Sequence, residues 1–381
     1  MRIVLPIFAV DLQLFRMYLR KISILNFKNL ADASLELSEG INCFTGDNGA
    51  GKTNVLDAVY YMSMSKSSLA MTDGQSLRHG EEFFVLDGAY RTDEGKSENI
   101  VCTFSRRTGK TMKRNGKEYE RIADHIGLIP AVIVSPADTV LISDSADERR
   151  RYLNAVISQL DRTYLRAVMR YKSVLQERNS LLKVSRDESI LSIYDAQLAE
   201  LAAAIYERRR EMTERLRPLT AEYYAALSGD REQVELVYRS DLDEAPMAEL
   251  LQASRERDFV NQYTTRGVHR DDLALRIGGY QLRKYGSQGQ QKSFLLALKL
   301  AQYSIVAEQC GERPILLLDD LFDKLDMSRV EELLRLVSGE RFGQIFITDC
   351  NKIRLQTVLD KAGAEYALFS VTDGEVKNTN C

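Results

Sequence analysis

The chain has 381 residues, 44% of them hydrophobic and 28% charged, which describes a soluble globular protein with room for two domains. No apolar run reaches the length of a membrane span, and a formal net charge of −3 leaves no overall electrostatic pull on nucleic acid, so any such contact must come from local patches. Cys43, Cys102, Cys310, Cys350 and Cys381 are odd in number and lack C-x-x-C spacing, which disfavours a disulfide framework and reads as buried or incidental thiols of a reducing cytoplasm.

Near the N-terminus Ile3 to Val10 is apolar behind one arginine, but Asp11 follows and no small-residue cleavage site does, so it is not read as a signal peptide. Ile41 to Phe44 reads as a strand and Asn54 to Met64 as a helix. Between them Gly46-Asp47-Asn48-Gly49-Ala50-Gly51-Lys52-Thr53 fits G-x-x-x-x-G-K-[ST], whose glycines let backbone amides curl around a phosphate at a helix N-terminus. Lys52 is expected to reach the β and γ phosphates of a nucleotide and the Thr53 hydroxyl to ligate Mg2+.

Strand-like runs at Phe83 to Ala89, Ile100 to Phe104 and Ala131 to Val134 complete a mixed α/β half up to about Asp144. Within it, Arg106, Arg107, Lys110, Lys113, Arg114 and Lys117 lie on a hairpin-like stretch with Asn115-Gly116 as the turn signal. From about Ser145 the chain turns to long charged helices, with Leu165, Val168, Leu175 and Leu182 at helical spacing and an interruption expected at Pro218. Arg162, Arg166 and Arg170 recur every four residues and share one helix face. Each basic patch reads either as a DNA contact or as an ordinary solvated face.

Ser228-Gly229-Asp230 marks the return to strands at Val234 to Tyr238 and Leu273 to Ile277. Ser287-Gln288-Gly289-Gln290-Gln291 then opens a long helix spanning Phe294 to Ala307. Ser287 followed by Gln290 is a capping box, and a capped helix start with a serine and a glycine amide is also a site for a terminal phosphate. Ile315 to Leu318 reads as a buried parallel strand delivering Asp319 and Asp320 to a sheet edge, with Asp319 holding the water shell of Mg2+ and Asp320 polarising an attacking water. The bland alternative is a pair of acids capping a strand. His79, His125 and His269 show no metal-ligand spacing.

In order, Gly46 to Thr53, Ser287 to Gln291, Asp319-Asp320 and Lys324-Leu325-Asp326 resemble the Walker A loop, signature, Walker B and D-loop of ABC-type ATPase heads. LRKISILNFKNL (Leu19 to Leu30), SPADTVLISDSADERRRYLN (Ser135 to Asn154), YKSVLQERNSLLK (Tyr171 to Lys183) and GVHRDDLAL (Gly267 to Leu275) resemble the RecF family of ABC/SMC-like ATPases, from Met17 to about Val376. The resemblance implies an α/β head formed by residues 17–144 and 229–381, split in sequence by a compact helical arm at 145–228. Residues 1–16 are then expected to be a start extension without function. It further implies that Ser287, Gln288, Gly289 and Gln290 of one copy close on the phosphates bound by Lys52 of another, with Asp326 in the D-loop between them.

The departures are Asp320 in place of the usual glutamate, no clear Q-loop glutamine near Ser135-Pro136, and Thr348-Asp349 where many ABC ATPases carry a switch histidine. Thr348 or Asp349 is the candidate γ-phosphate sensor, Lys28 either approaches the nucleotide or is a surface lysine, and His269 either lines the nucleotide interface or is a structural hydrogen-bonding residue. What the resemblance implies is a cytoplasmic, ATP- and Mg2+-dependent homodimer and slow ATPase switch, with Asp320 and Lys52 as the catalytic residues. It would bind single-stranded, double-stranded or junction DNA and work with RecR, RecO and RecA in gap repair, replication and the SOS response. The DNA candidates are Arg162, Arg166, Arg170, Arg106, Arg107 and Lys113. An SMC-like head that clamps chromosomal DNA is the alternative, against which the short arm argues. A GTPase reading of Asn351-Lys352 fails at Arg354, where an N-K-x-D motif needs aspartate. A transporter subunit is disfavoured because the switch histidine is missing and the resemblance segments point elsewhere.

Overall fold

Short, largely apolar and buried runs form most of a mostly parallel sheet, because side chains on both faces of such strands must be covered. The computed structural model describes residues 15–69, 71–229, 232–320, 327–339 and 341–379. The strand order is Glu375–Asn378, Tyr366–Thr372, Ile41–Thr45, Ile345–Asp349, Ile315–Leu318 and Ala131–Val134, parallel throughout except for the first. Register fixes where the chemistry emerges: Leu318 lies opposite Ile347 and Val134, and Thr348 opposite Phe44. The glycine loop, Asp319-Asp320, Asp349 and Ser135 therefore all lie at or just past strand ends on one edge, where parallel sheets bind ligands.

A second sheet is antiparallel and built around Phe15–Phe27, flanked by Leu30–Glu36 and by Phe83–Thr92, which leads on to Ser97–Ser105, Gly109–Arg114 and Lys117–Glu118. Asn115 and Gly116 both take positive φ, 50° and 80°, as the turn signal required. The helix Lys52–Met64 is buried along almost all its length, and Tyr61 meets Phe27 and Phe84 edge-to-face at 5.7 and 5.5 Å. Gln344 ties the two sheets: its buried amide accepts from Leu19 N at 2.8 Å and donates to Leu19 O at 2.9 Å and Ser38 O at 2.7 Å.

The arm comprises helices Ala146–Leu160, Arg162–Val184 and Glu188–Ser228, the last about 60 Å long at 1.5 Å per residue. Its buried positions 191, 195, 198, 202, 205, 209, 212 and 216 alternate steps of four and three, a coiled-coil-like seam closed within the chain by Arg162–Val184 and Gln288–Cys310. Two of them are charged. Asp195 is held by Arg178 Nε at 2.7 Å, and Arg209 by Asp271 Oδ2 at 2.6 Å.

Three expectations change. Pro218 does not interrupt the helix, which runs through it to Ser228, because packing on both sides supports the turn that lacks its hydrogen bond. The helix Met247–Asn261, in the segment assigned to the head, packs on the arm, with Asp258 accepting from Arg178 Nη1 at 2.8 Å; a boundary at 228 cuts the sequence but not the packing. Of the expected start extension, residues 1–14 lie outside the described residues, while Phe15 and Arg16 open the first strand and pair in parallel with Glu312 and Arg313.

Candidate nucleotide site

Close approach explains Gly46 and Gly51. A Cβ at Gly46 would lie 2.1 Å from the Val371 carbonyl oxygen, and Gly51, at φ 118°, would place one 2.7 Å from Asn29 Oδ1. Asn29 braces the loop, donating to Ala50 O at 3.1 Å and accepting from Asn54 Nδ2 at 2.7 Å, while Gly374 N donates to Ala50 O at 2.9 Å. The helix from Lys52 has no side-chain cap and no acid in its first turn, so its leading N–H groups and dipole are left for an anion. Lys52 Nζ donates to Gly46 O at 2.7 Å and Asp47 O at 2.9 Å, which folds the ammonium over the loop.

The acidic pair meets the loop from the neighbouring strand. Buried Asp319 accepts from Thr53 Oγ1 at 2.9 Å and Thr348 Oγ1 at 2.7 Å. Burial raises the Asp319 pKa, and the hydroxyls of Thr348 and Thr53 with Lys52 oppose that rise. Asp320 has φ 47°, a left-handed backbone that costs a non-glycine residue about 1 kcal/mol, and its N–H donates to Thr348 Oγ1 at 2.8 Å. Asn48, Gly49, Gly51, Lys52, Thr53, Asn54, Asp320 and Thr348 line one cleft of about 200 Å3. An amide-rich loop, an ammonium, and a hydroxyl touching a carboxylate form a donor set that fits nucleotide phosphates with a divalent cation held by Thr53 and, through water, Asp319.

Ser287 caps Gln288–Cys310 as the sequence indicates: its Oγ accepts from Gln290 N at 3.3 Å and its N donates to Gln290 Oε1 at 2.6 Å. Accepting leaves the hydroxyl proton for another partner, so capping box and phosphate site are compatible. Ser287 and Gln288 are exposed or nearly so at the helix start, and Gln290 Nε2 is anchored to Glu232 Oε1 at 2.6 Å. No residue of this motif lines the cleft around Lys52. Asp326 and the rest of the D-loop lie outside the described residues.

Other candidates fall elsewhere. Lys28 is neither a surface lysine nor a cleft residue: it is buried against Asp57 at 2.6 Å, and its neighbour Asn29 takes the place at the loop. Asp349 is occupied by Arg354 Nη2 at 2.9 Å, and the only proton of the Thr348 hydroxyl goes to Asp319, so neither is set to donate to a γ phosphate. His269 is structural, bonded to Tyr171 OH at 2.8 Å and Thr264 O at 3.0 Å, with burial lowering its pKa to about 4. Gly267 packs on Met247 and Tyr171, and Asp272 on Arg149, so the segment from Gly267 joins arm to head. Asn351 caps the helix Lys352–Lys361, which accounts for the Asn-Lys pair.

Arg106, Arg107 and Lys113 lie toward solvent, whereas Lys110 is paired with Asp73 and Arg114 with Glu98. Arg162, Arg166 and Arg170 lie along one helix; Arg166 approaches Asp124 at 3.7 Å and Arg170 donates to Gln197 at 2.6 Å. Tyr119 feels the charge of both Arg114 and Arg162, so the two patches approach each other around residues 119–124. Asn29, Asn54 and Glu232 have no pattern of their own in the sequence, since amides and a lone glutamate acquire such roles only through contacts.

This fold and site define an ABC-type P-loop ATPase head with a short helical arm. The model of the RecF/RecN/SMC N terminal domain matches residues 18–375. The DNA replication and repair protein RecF of Phocaeicola vulgatus is 47% identical over 363 residues, covering 94% of this chain and 98% of that protein, and the RecF of Flavobacterium johnsoniae is 44% identical over 360 residues, covering 93% and 100%. A solved structure of the recombination mediator protein RecF with ATP superposes with a TM-score of 0.86 at 32% identity, covering 96% of this chain and 98% of that one. The Smc head domain from Pyrococcus furiosus, at 17% identity and a TM-score of 0.57, shares the fold. The chain belongs to the RecF family.

Proposed function

We propose that this chain is an ATP-dependent, DNA-binding recombination mediator whose two copies close on ATP, with slow hydrolysis as the switch that releases them. The observation that carries this reading is the split site: the cleft at Lys52 holds a full set of phosphate and cation ligands, while the Ser287 motif contributes nothing to it. Thr53 and Asp319 would hold Mg2+, which supplies charge neutralisation at the phosphates when bound. Lys52 positions the terminal phosphate, Asp320 orients water from the cleft wall, and Ser287 and Gly289 of a second copy cover the phosphate from outside.

Similarity to proteins named for replication and repair and for the RecFOR pathway supports a role in that pathway; the proposed role extends to work with RecR, RecO and RecA at gaps or single/double-strand junctions, in the cytoplasm, including the SOS response. The arginines near residues 106–107 and 162–170 are the proposed DNA contacts.

Sedimentation of the unmodified chain and Ser287→Arg with ATP, with and without gapped DNA, tests the shared site. The variant is expected to bind ATP normally and remain monomeric; ATP-driven dimers of Ser287→Arg refute the trans role. Charge reversal at Arg162, Arg166 and Arg170 should lower the log–log salt slope of DNA affinity by about 2 to 3, near 0.9 per lost phosphate contact. An unchanged slope removes that helix from the DNA surface.

A further inference from the structure

We propose that Thr348 is a positioning residue for ATP hydrolysis: it holds Asp320 in the left-handed turn from which that residue enters the cleft, and orients Asp319 toward Thr53. The inference rests on the hydrolysis reading above. Thr348 is fully buried on the strand Ile345–Asp349, one residue beyond the Ile347 that pairs with Leu318. It therefore sits where the neighbouring strand ends and its backbone must turn.

Asp319 N still reaches Val134 O at 2.8 Å, the last hydrogen bond to that edge. Asp320 N instead donates to Thr348 Oγ1 at 2.8 Å, and the residue adopts φ 47°. Left-handed backbone at a non-glycine residue persists where surrounding contacts impose it, and such strain clusters at functional sites. A hydroxyl has one proton and two lone pairs. Thr348 gives the proton to Asp319 Oδ1 at 2.7 Å and a lone pair to Asp320 N. One side chain thus fixes both acids, one through its carboxylate and one through its backbone, and both Asp320 and Thr348 line the cleft. Apolar replacement leaves a partly buried N–H without its acceptor and Asp319 with one donor fewer.

The test compares Thr348→Val, Thr348→Ala and Thr348→Ser in the full chain, with melting temperature as the control for folding. Single-turnover ATP hydrolysis should fall at least about 30-fold in the Val and Ala variants, with ATP affinity within about threefold, and recover to within about threefold in Ser, which keeps the proton and lone pair. Hydrolysis close to the unmodified rate in a folded Val or Ala variant overturns the proposal. If neither folds, Ser decides, because a loss of about tenfold there contradicts a role carried by the hydroxyl. Should the unmodified chain not hydrolyse ATP, the hydrolysis reading fails and the positioning role is read from Mg2+. The Mg2+ needed to half-saturate binding of a fluorescent ATP analogue should rise at least about fivefold in Val or Ala and return in Ser; an unchanged requirement overturns the proposal.

Discussion

The glycine loop and the start of the signature helix are both phosphate-binding designs, yet they are held in different ways. Around Gly46 to Thr53 the backbone is locked by Val371, Asn29 and Gly374, and the side chains of Thr53, Asp319 and Thr348 bond one another. Ser287 is bonded within its own helix turn, and Gln290 is anchored to Glu232. The first region is braced by contacts from distant segments of the chain, whereas the second presents donors away from the cleft. In the proposed dimer the Ser287 motif of a second copy meets the cleft from outside, which makes ATP an interface component.

The largest expected effect tests the locked half. Lys52→Ala should weaken ATP binding at least about 100-fold, or about 3 kcal/mol for a lost charged contact to phosphate, by equilibrium titration. Near-normal affinity would mean that the loop amides alone hold the nucleotide.

The next effect, at most about 3 kcal/mol for a pKa lowered from 6.5 to about 4, belongs to the junction between arm and head. The folded pKa of His269, about 4, lies below the value near 6.5 of an unfolded histidine, so the unfolded chain takes up the proton first as pH falls. Its contribution is full above about pH 6.5 and lost toward about pH 4. Urea unfolding across that range should show the loss, and His269→Gln should flatten that part of the profile; an identical profile would mean that another group dominates.

Smallest is Glu232→Ala, which removes the anchor of Gln290 and a hydrogen bond from Tyr224 at 2.7 Å. It should cost about 1 kcal/mol in unfolding free energy and weaken ATP-driven dimers about fivefold while leaving monomer ATP affinity alone. Equal loss of monomer affinity would break the separation of the two halves.

Much of the fold and site is legible in the sequence where chemistry is local. The strands at Ala131–Val134 and Ile315–Leu318, the Asn115-Gly116 turn and the Ser287–Gln290 capping box all appear where apolar runs, turn residues and cap spacing put them. Readings that depend on partners from distant segments fare differently. Lys28 stands out in the sequence while Asn29 holds the loop, because the choice between them turns on Asp57 and Ala50. Thr348 and Asp349 read as phosphate sensors because their neighbours Asp319 and Arg354 are 29 and 5 residues away and carry no pattern that announces the contact.

The sequence by itself determined the nucleotide loop, the order of the motifs, the apolar strands and the shortness of the arm, since each follows from residue type and spacing along the chain. Only the tertiary structure decided which hydroxyl holds the acids, which charges are consumed in buried pairs, and that the Ser287 motif stands outside the Lys52 cleft. Those outcomes are set by strand register and by the number of donors and acceptors that meet in space, neither of which is written in local spacing.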